Sequence, residues 1–245
     1  MTKSISLKVE EAVLVEFPEL LTGGFMAAGV DRAISRLDPS EPHLTGAASD
    51  LARDGLTVQN LADHPLIQGW RNAFKSMGLK PSTYKSSVEQ LARRSLKGEL
   101  MKIPNGLVSL YCAASVRHLA PLGAYDVESL TATDIALRFA RPESDLFEPL
   151  GGRKEDMPLK SSVAVYAVDN QVICWAFNHR DSSQTCLRPT TTLAVFIGEG
   201  IVTSHHEPLS AALADLRQRL SDLGATVGAI QFASKGATTA WIALD

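Results

Sequence analysis

Histidines are the side chains here best suited to acid–base chemistry, because imidazole titrates near neutral pH. Of the six histidines, His179 is the functional candidate, since it lies in the polar loop 178–181 after a predicted strand and can face a pocket. His118 ends a predicted buried helix, where bonding a terminal carbonyl or favouring the helix dipole is the more ordinary role. His205 and His206 are adjacent in a predicted loop, and such pairs are more often solvated than metal-bound.

The signatures of the common catalytic classes are missing from the sequence. It has no Gly-x-Ser-x-Gly elbow, no Gly-rich phosphate loop and no His-x-x-x-His pair. Cys112, Cys174 and Cys186 have neither Cys-x-x-Cys nor zinc spacing. They lie among apolar neighbours, so we expect buried free thiols in a reducing compartment. The sequence therefore predicts no metal and no other cofactor.

Composition is typical of an ordinary soluble protein. The net charge is −3, whereas a tight, non-specific nucleic-acid binder is usually basic, so any RNA contact must come from a local basic patch. The longest apolar runs, near 163–168 and 193–198, are far too short to span a membrane. The N-terminus lacks the features of a secretory leader. We expect a cytoplasmic protein that binds neither DNA nor a membrane, and the sequence does not determine its oligomeric state.

One predicted helix carries the most basic segment of the chain. Ser86 and Glu89 have the spacing of a capping box, which begins a helix, and Gly98 ends it. The basic side chains on this helix and just before it are Lys85, Arg93, Arg94 and Lys97. They favour either a solvated helix face or a surface that faces RNA, and the pattern leaves both interpretations open.

The stretch 103–128 predicts a buried helix between two loops. A loop is expected at Pro104-Asn105-Gly106. Apolar residues from Leu107 to Leu119 then recur at the spacing of one helix face, with small residues between them that would let another layer approach closely.

After this helix, residues 121–126 predict a tight turn with a positive φ angle at Gly123. Two polar side chains in it have ordinary structural explanations. Tyr125 can be a core ring with a solvated hydroxyl group, and Asp126 can cap the turn or the segment that follows.

Helical patterns dominate the first half of the chain and strand patterns the second. Predicted helices are 44–54 with Thr45 as N-cap, one from Val58 with Thr57 as cap, 65–77 and 208–220. Predicted strands are 21–30, 135–140, 162–168 paired with 172–177, 190–198, 225–233 and 238–243. These patterns predict an α+β fold, with residues 1–245 forming a single domain.

The central stretch also carries a family resemblance. The pattern Asn-x-x-Val-x-x-Tyr-x-x-x-Ser from Asn105, followed by Pro-Leu-Gly-Ala-Tyr-Asp at 121–126, resembles the free-standing B3/B4 tRNA-binding family. It is similar to the editing domain of the phenylalanyl-tRNA synthetase beta subunit. The resemblance continues through 134–138, 149–151 and a Thr-rich loop, and covers about residues 65–200. It implies β-sandwich-like sheets with helices packed around them.

The resemblance also implies a pocket for an aminoacyl group. Carried onto this sequence, the pocket residues are Asn105, Ser109, Tyr111, Gly123, Ala124, Tyr125, Asp126, Asn178, Thr190, Thr191, Thr192 and Glu199. The two groups that give the synthetase domain its tyrosine selectivity differ here. The family His is Gly123, and the family Glu falls on Gly198, with Glu199 beside it. Without these groups to bond a phenol, tyrosine selectivity is not implied.

The function that the resemblance implies is tRNA binding with hydrolysis of mischarged aminoacyl-tRNA in trans, as in translation quality control. An aminoacyl ester is already activated, so a positioned water, the substrate's own hydroxyl group and backbone N–H groups at the oxyanion could suffice. The basic helix would then face the RNA. Two alternatives stay open: a non-catalytic module that binds RNA or protein, and a pocket for a free amino acid.

Overall fold

Two β-sheets and the helices around them make up the described part of the chain, which in this computed structural model comprises residues 4–37, 43–99 and 106–244. The strands are β1 (Ser4–Val9), β2 (Leu21–Ala28), β3 (Leu122–Asp126), β4 (Asp134–Phe139), β5 (Ala164–Val168), β6 (Gln171–Trp175), β7 (Arg180–Asp181), β8 (Leu193–Gly200), β9 (Thr226–Val227), β10 (Gln231–Ser234) and β11 (Thr239–Ala243). The helices are α1 (Glu11–Glu16), α2 (Val30–Ile34), α3 (His43–Arg53), α4 (Pro65–Ser76), α5 (Ser87–Leu96), α6 (Gly106–His118) and α7 (His206–Asp222).

The first sheet has six strands in the order β11-β1-β4-β5-β6-β7. Strands β1 and β4 are parallel, and every other pair in this sheet is antiparallel. The predicted hairpin is confirmed as β5–β6, and it turns through Asp169 at a φ of 52°. Aspartate tolerates this left-handed conformation better than most residues.

The second sheet is antiparallel and has the order β10-β2-β8-β3, with β9 also paired to β2. Side chains alternate between the two faces of each strand. On β8, Val195 and Ile197 join the core cluster shared with the first sheet. Ala194 and Phe196 face the other way and join a cluster with α2, α6 and α7. This alternation decides which side chains of β3 and β8 reach the space between the sheets.

The larger core cluster lies between the two sheets and extends to α1, α4 and α5, with members from Ile5 to Ile242. The smaller cluster fills the layer between the second sheet and α2, α6 and α7. The α+β class predicted from the sequence is confirmed, as is the arrangement of helices around two sheets.

The segment after α6 differs from the sequence prediction. Residues 121–126 are not a turn, because Leu122–Asp126 forms β3 and pairs with β8. The positive φ angle, 49°, lies at Leu119, and Gly123 has extended backbone within the strand. The strand partner of β3 lies some seventy residues further along the chain, so the local turn signal did not contain it.

Two predicted helix starts are also wrong. Helix α3 begins at His43, so Thr45 is inside the helix and is not its cap. No α-helix starts at Val58: Thr57 and Asn60 bond each other's backbone N–H groups in a turn, and a short 3-10 helix, Leu61–Asp63, follows. The predicted strand 225–233 is two separate strands, β9 and β10.

Candidate functional site

A cavity of about 240 Å³ opens between α5, α6 and the segment that follows β6. We call it the α5–α6 cavity. It is lined by Ser87, Gln90, Leu91, Arg94, Tyr111, Cys112, Leu122, Leu150, Asn178, His179, Arg180 and Asp181. Of the residues that the resemblance assigned to the pocket or the RNA surface, Arg94, Tyr111 and Asn178 line it. Larger clefts of about 260, 500 and 650 Å³ contain none of the assigned residues that the structure describes.

Asn178 is oriented by a strained backbone segment. Ala176 and Phe177, directly after β6, have φ angles of 52° and 58°, which non-glycine residues rarely adopt. Both are fully buried, so core packing holds this conformation. The Asn178 Nδ2 group donates to Glu199 Oε1 at 2.6 Å, and its Oδ1 accepts the backbone N–H of Ser87 at 3.2 Å. Asn178 therefore joins the start of α5 to β8 while lining the cavity.

Glu199 lies at the centre of a buried polar row between the two sheets. Its Oε2 accepts the Tyr166 hydroxyl group at 3.0 Å, and that hydroxyl lies 2.8 Å from Thr22 Oγ1. Burial raises the pKa of the Glu199 carboxyl from 4.5 to about 7, although its bonds from Asn178 and Tyr166 act in the opposite direction. Both carboxyl oxygens are occupied by protein donors, and Glu199 is not among the residues that line the cavity.

Strand alternation separates Glu199 from its neighbour Gly198. A Cβ atom at Gly198 would lie 2.6 Å from Leu122 Cδ2 and 2.7 Å from Leu209 Cδ1, on the side covered by α7. Position 198 therefore has no room for the carboxylate that a gapless alignment with the synthetase domain would put there. The carboxylate of this strand is that of Glu199, on the opposite face.

The hydroxyl group of Tyr125 occupies the space in front of Gly123. A Cβ atom at Gly123 would lie 2.8 Å from that hydroxyl. The hydroxyl donates to Asp181 Oδ1 at 3.2 Å, and the Cys174 thiol also bonds this carboxylate. Burial raises the pKa of Asp181, and the neighbouring Arg180 charge partly opposes that shift. Tyr125 thereby connects β3 to the carboxylate at the edge of the first sheet.

His179 is held as a neutral imidazole at the edge of the cavity. Its Nδ1 lies 2.7 Å from the backbone carbonyl of Lys85, so Nδ1 carries the proton and donates it. Burial lowers the pKa of His179 to about 4. The rings of Phe74, Tyr84 and Trp175 surround it at centroid distances of 5.4 to 6.2 Å. Nε2 then keeps a lone pair and makes no hydrogen bond within the described residues.

Several other assigned residues lie away from the cavity. Asp126 accepts the Thr191 hydroxyl group at 2.7 Å and the Glu128 N–H at 3.0 Å. Asp126 and Thr191, both assigned to the pocket, therefore bond each other within the fold. Thr190 and Thr192 are exposed. The remaining two described residues, Ser109 and Ala124, are absent from the cavity lining, and Ala124 packs in the core cluster beside α6 and α7. Asn105 lies outside the described residues.

Arg93 has a structural role in the described fold. Its Nη1 donates to the Val58 carbonyl at 3.2 Å, and its Nη2 lies 3.5 Å from the buried Glu89 carboxylate. Arg71 binds the same carboxylate through two hydrogen bonds of 3.1 Å. These contacts fix α5 to α4 and to the turn before it, and they leave the Arg93 side chain only 27% exposed.

The other basic residues of this region are more exposed. Arg94 and Lys97 both pair with Glu99, at 3.3 and 3.4 Å, and about half of each side chain is exposed. Lys85 donates to the Ser82 carbonyl. Of the four assigned basic residues, Arg94 is the one that also lines the cavity.

Arg180 and Asp181 were not predicted as site residues, although the polar loop that contains them was recognised in the sequence. The available signal was this Asn-His-Arg-Asp run after a buried strand, in which four consecutive side chains can bind or titrate. All four line the cavity. Ser87 and Gln90 were missed because they occupy the first turn of a helix that was interpreted through its basic residues.

The described ranges contain neither a metal-binding cluster nor a membrane-spanning helix. Within them, no three His, Cys, Asp or Glu side chains come together in a way that could hold a metal ion. Across the same ranges, none of the helices combines the length and hydropathy needed to cross a bilayer.

Comparisons with known proteins give one family match. The family model of the B3/4 domain matches residues 69–214. No curated protein matches the chain. Among solved structures, the chain is similar to an N-terminal fragment of the phenylalanyl-tRNA synthetase beta-subunit from Pyrococcus horikoshii, with 12% sequence identity and a TM-score of 0.45. That alignment covers 90% of this chain and 49% of the fragment, so the chain spans about half of its length.

Proposed function

Because the chain belongs to the B3/4 domain family, we propose that it binds tRNA, admits the aminoacyl end of a mischarged tRNA to the α5–α6 cavity, and hydrolyses the ester in trans. The observation that carries this proposal is the cavity itself, which combines apolar walls, a neutral histidine and two arginines. We further propose that residues 1–245 form one domain, since the larger core cluster includes Ile5 and Ile242. Its place of action would be the cytoplasm.

The size of the cavity favours a ligand group no larger than an amino acid. Pockets for drug-sized ligands occupy about 300–1,000 Å³, and this cavity is smaller, at about 240 Å³. Leu91, Leu122 and Leu150 supply apolar walls for a side chain. Asn178 and Asp181 supply polar groups that can orient the acyl group.

His179 is the residue that we assign to proton transfer. In the proposed step, a water oxygen attacks the ester carbonyl and its proton passes to His179 Nε2. The bond to the ribose oxygen then breaks, and that oxygen takes the proton, which leaves a free amino acid and a deacylated tRNA. A pKa of about 4 makes His179 a weak base, but one that is unprotonated at neutral pH.

Tyrosine selectivity is not part of the proposal. The Glu199 oxygens already accept bonds from Asn178 and Tyr166, so neither is free for a phenol. Gly123 offers no side chain, and the space in front of it holds the Tyr125 hydroxyl group. The apolar walls would accept a range of side chains.

Contact with tRNA would be local, because the net charge of the chain is −3. Arg94 is half exposed and lines the cavity, so it can reach a phosphate group near the aminoacyl end. Arg93 is committed to Glu89 and Val58, so we assign it to the fold rather than to RNA.

A second candidate function is binding of the aminoacyl end without hydrolysis. The observation that favours it is that the cavity offers no strong nucleophile and no strong base. Burial raises the pKa of the Cys112 thiol to about 12, so this thiol is not a nucleophile at neutral pH. The other titratable candidate, His179, has its pKa lowered to about 4.

Deacylation of a panel of mischarged tRNAs tests the proposal. We expect a rate above the uncatalysed background for at least one amino acid, and a loss of about a hundredfold in His179→Gln. The matched control is His206→Gln, since His206 does not line the cavity and bonds the Glu19 carbonyl, to which a glutamine can still donate. Background rates for every amino acid would refute hydrolysis. Salt-sensitive tRNA binding without turnover would establish the second candidate instead.

A further inference from the structure

Asp181 is the acidic residue among those that line the cavity. Its carboxylate lines the cavity and accepts the Tyr125 hydroxyl group at 3.2 Å and the Cys174 thiol. Within the described ranges, no Lys, Arg or His side chain lies at ion-pair distance from it. The charge of the neighbouring Arg180 lowers the pKa of Asp181, against the larger effect of burial.

The groups around Asp181 are neutral, so they cannot compensate its charge. Burial keeps the hydroxyl groups of Tyr111 and Tyr125 and the thiols of Cys112 and Cys174 protonated, because it raises the pKa of each well above its usual value. A buried charge that lacks a partner is costly unless a ligand supplies one. The site at Asp181 is therefore suited to a small cation that reaches it through the cavity.

The cavity also contains groups of the opposite charge. Arg94 and Arg180 both line it, and the buried Nε of Arg180 has no hydrogen-bond partner within the described residues. The Ser87 hydroxyl group likewise has no partner there. A ligand that matches this set carries an ammonium group for the carboxylate and oxygen acceptors for the arginines and the serine. An α-amino acid or its ester has this chemistry.

We propose that Asp181 is the binding site for the α-ammonium group of an unblocked amino acid, presented as an aminoacyl ester or as the free amino acid. That the ligand is an aminoacyl ester, and not only a free amino acid, rests on the function proposed above. The consequence is selectivity: an N-acylated amino acid has no ammonium group and is rejected, because its amide would leave the carboxylate unpaired.

Calorimetry with amide-linked analogues of 3′-aminoacyl-adenosine tests the inference, since these probes cannot be hydrolysed. One set has a free α-amine and the other is N-acetylated. We expect the wild-type protein to bind the free-amine probes at least about tenfold more tightly than the acetylated ones. Asp181→Asn should bind both sets equally, while Asp222→Asn, on the exposed end of α7, should keep the preference.

The outcomes separate the inference from the function on which it rests. Equal binding of acetylated and free-amine probes by the wild-type protein would overturn the ammonium site and leave the hydrolase proposal standing. Tight, amine-dependent binding of a free amino acid, with no binding of the adenosine probes, would support the ammonium site and contradict the tRNA function. Binding of no probe and no free amino acid would overturn both. The wild-type comparison needs no variant, so it stands even if Asp181→Asn folds poorly.

Discussion

Two carboxylates at and near the α5–α6 cavity have contrasting surroundings. Glu199 is 3% exposed, both of its oxygens accept protein donors, and it does not line the cavity. Asp181 is less buried, lines the cavity and has no ion-pair partner within the described residues. The difference indicates two roles. The satisfied carboxylate fixes Asn178 and the two sheets, and the uncompensated one is available to a ligand.

The largest effect expected from this comparison is on stability. Glu199→Ala leaves the buried Nδ2 group of Asn178 without its acceptor and removes one of the two partners of the Tyr166 hydroxyl group, so it should lower the free energy of unfolding by about 3 kcal/mol. Urea denaturation measures this change. The control Glu207→Ala, at an exposed position in the first turn of α7, should cost less than about 1 kcal/mol. Equal losses in the two variants would show that the polar row does not support the fold.

The contribution of Glu199 to stability should also depend on pH. Because burial raises the pKa of Glu199 from 4.5 to about 7, the folded protein keeps a proton that the unfolded chain releases. Its contribution to stability is therefore present at low pH, falls as pH rises from about 4.5 to 7, and is constant above that. Glu199→Gln cannot titrate, so the wild-type minus variant difference should fall by about 3 kcal/mol across this window.

That difference isolates Glu199 from other titrating groups. Burial lowers the pKa of His179 and His205 from 6.5 to about 4, so each contributes stability that is lost as pH falls from about 6.5 to about 4. These contributions occur in both proteins and cancel on subtraction. Urea denaturation at several pH values supplies the data, and a difference that stays constant with pH would contradict the raised pKa of Glu199.

At Asp181 we expect a small effect on stability and a large effect on ligand binding. Asp181→Asn removes a partly buried carboxylate that has no ion-pair partner while keeping an acceptor for Tyr125, so its free energy of unfolding should change by less than about 1 kcal/mol. The preference of the protein for a free α-amine over an N-acetylated one should disappear. A loss of stability comparable to that of Glu199→Ala, measured by the same denaturation, would show that the two carboxylates do not differ as described.

The smallest effect is expected at the basic surface. Arg94→Glu should weaken tRNA binding severalfold and reduce the salt slope of the affinity by about one, because it removes one phosphate contact. Arg53→Glu is the matched control, since Arg53 is 76% exposed on α3. Filter binding at several salt concentrations provides both values. If Arg53→Glu weakens binding as much as Arg94→Glu does, the effect is one of net charge and not of this surface.

Local signals in the sequence predicted the elements whose boundaries are set locally. The Ser86–Glu89 capping box does begin α5, with the Ser86 hydroxyl accepting the Glu89 N–H, and His64 caps α4 before Pro65. The strand at Leu122–Asp126 was wrongly predicted as a turn, because its pairing with β8 joins residues distant in the chain.

Less of the candidate site could be predicted from the sequence, because its residues also meet through contacts between distant parts of the chain. The resemblance led to Asn178, but the choice between Gly198 and Glu199 depends on which strand face each occupies, and that is fixed by packing against α7. Asp181 could not be identified from its neighbours, because the hydroxyl group that binds it belongs to Tyr125 on the other sheet.

A crystal structure of the complex with a free-amine, amide-linked aminoacyl-adenosine analogue would show whether the α5–α6 cavity holds the aminoacyl group. We expect the acyl group inside the cavity, with its ammonium nitrogen at hydrogen-bond distance from the Asp181 carboxylate and its adenosine directed toward Arg94. An analogue bound in another cleft, such as the one lined by Arg117 and His118, with the α5–α6 cavity empty, would refute both the cavity and its ammonium site as the place of binding.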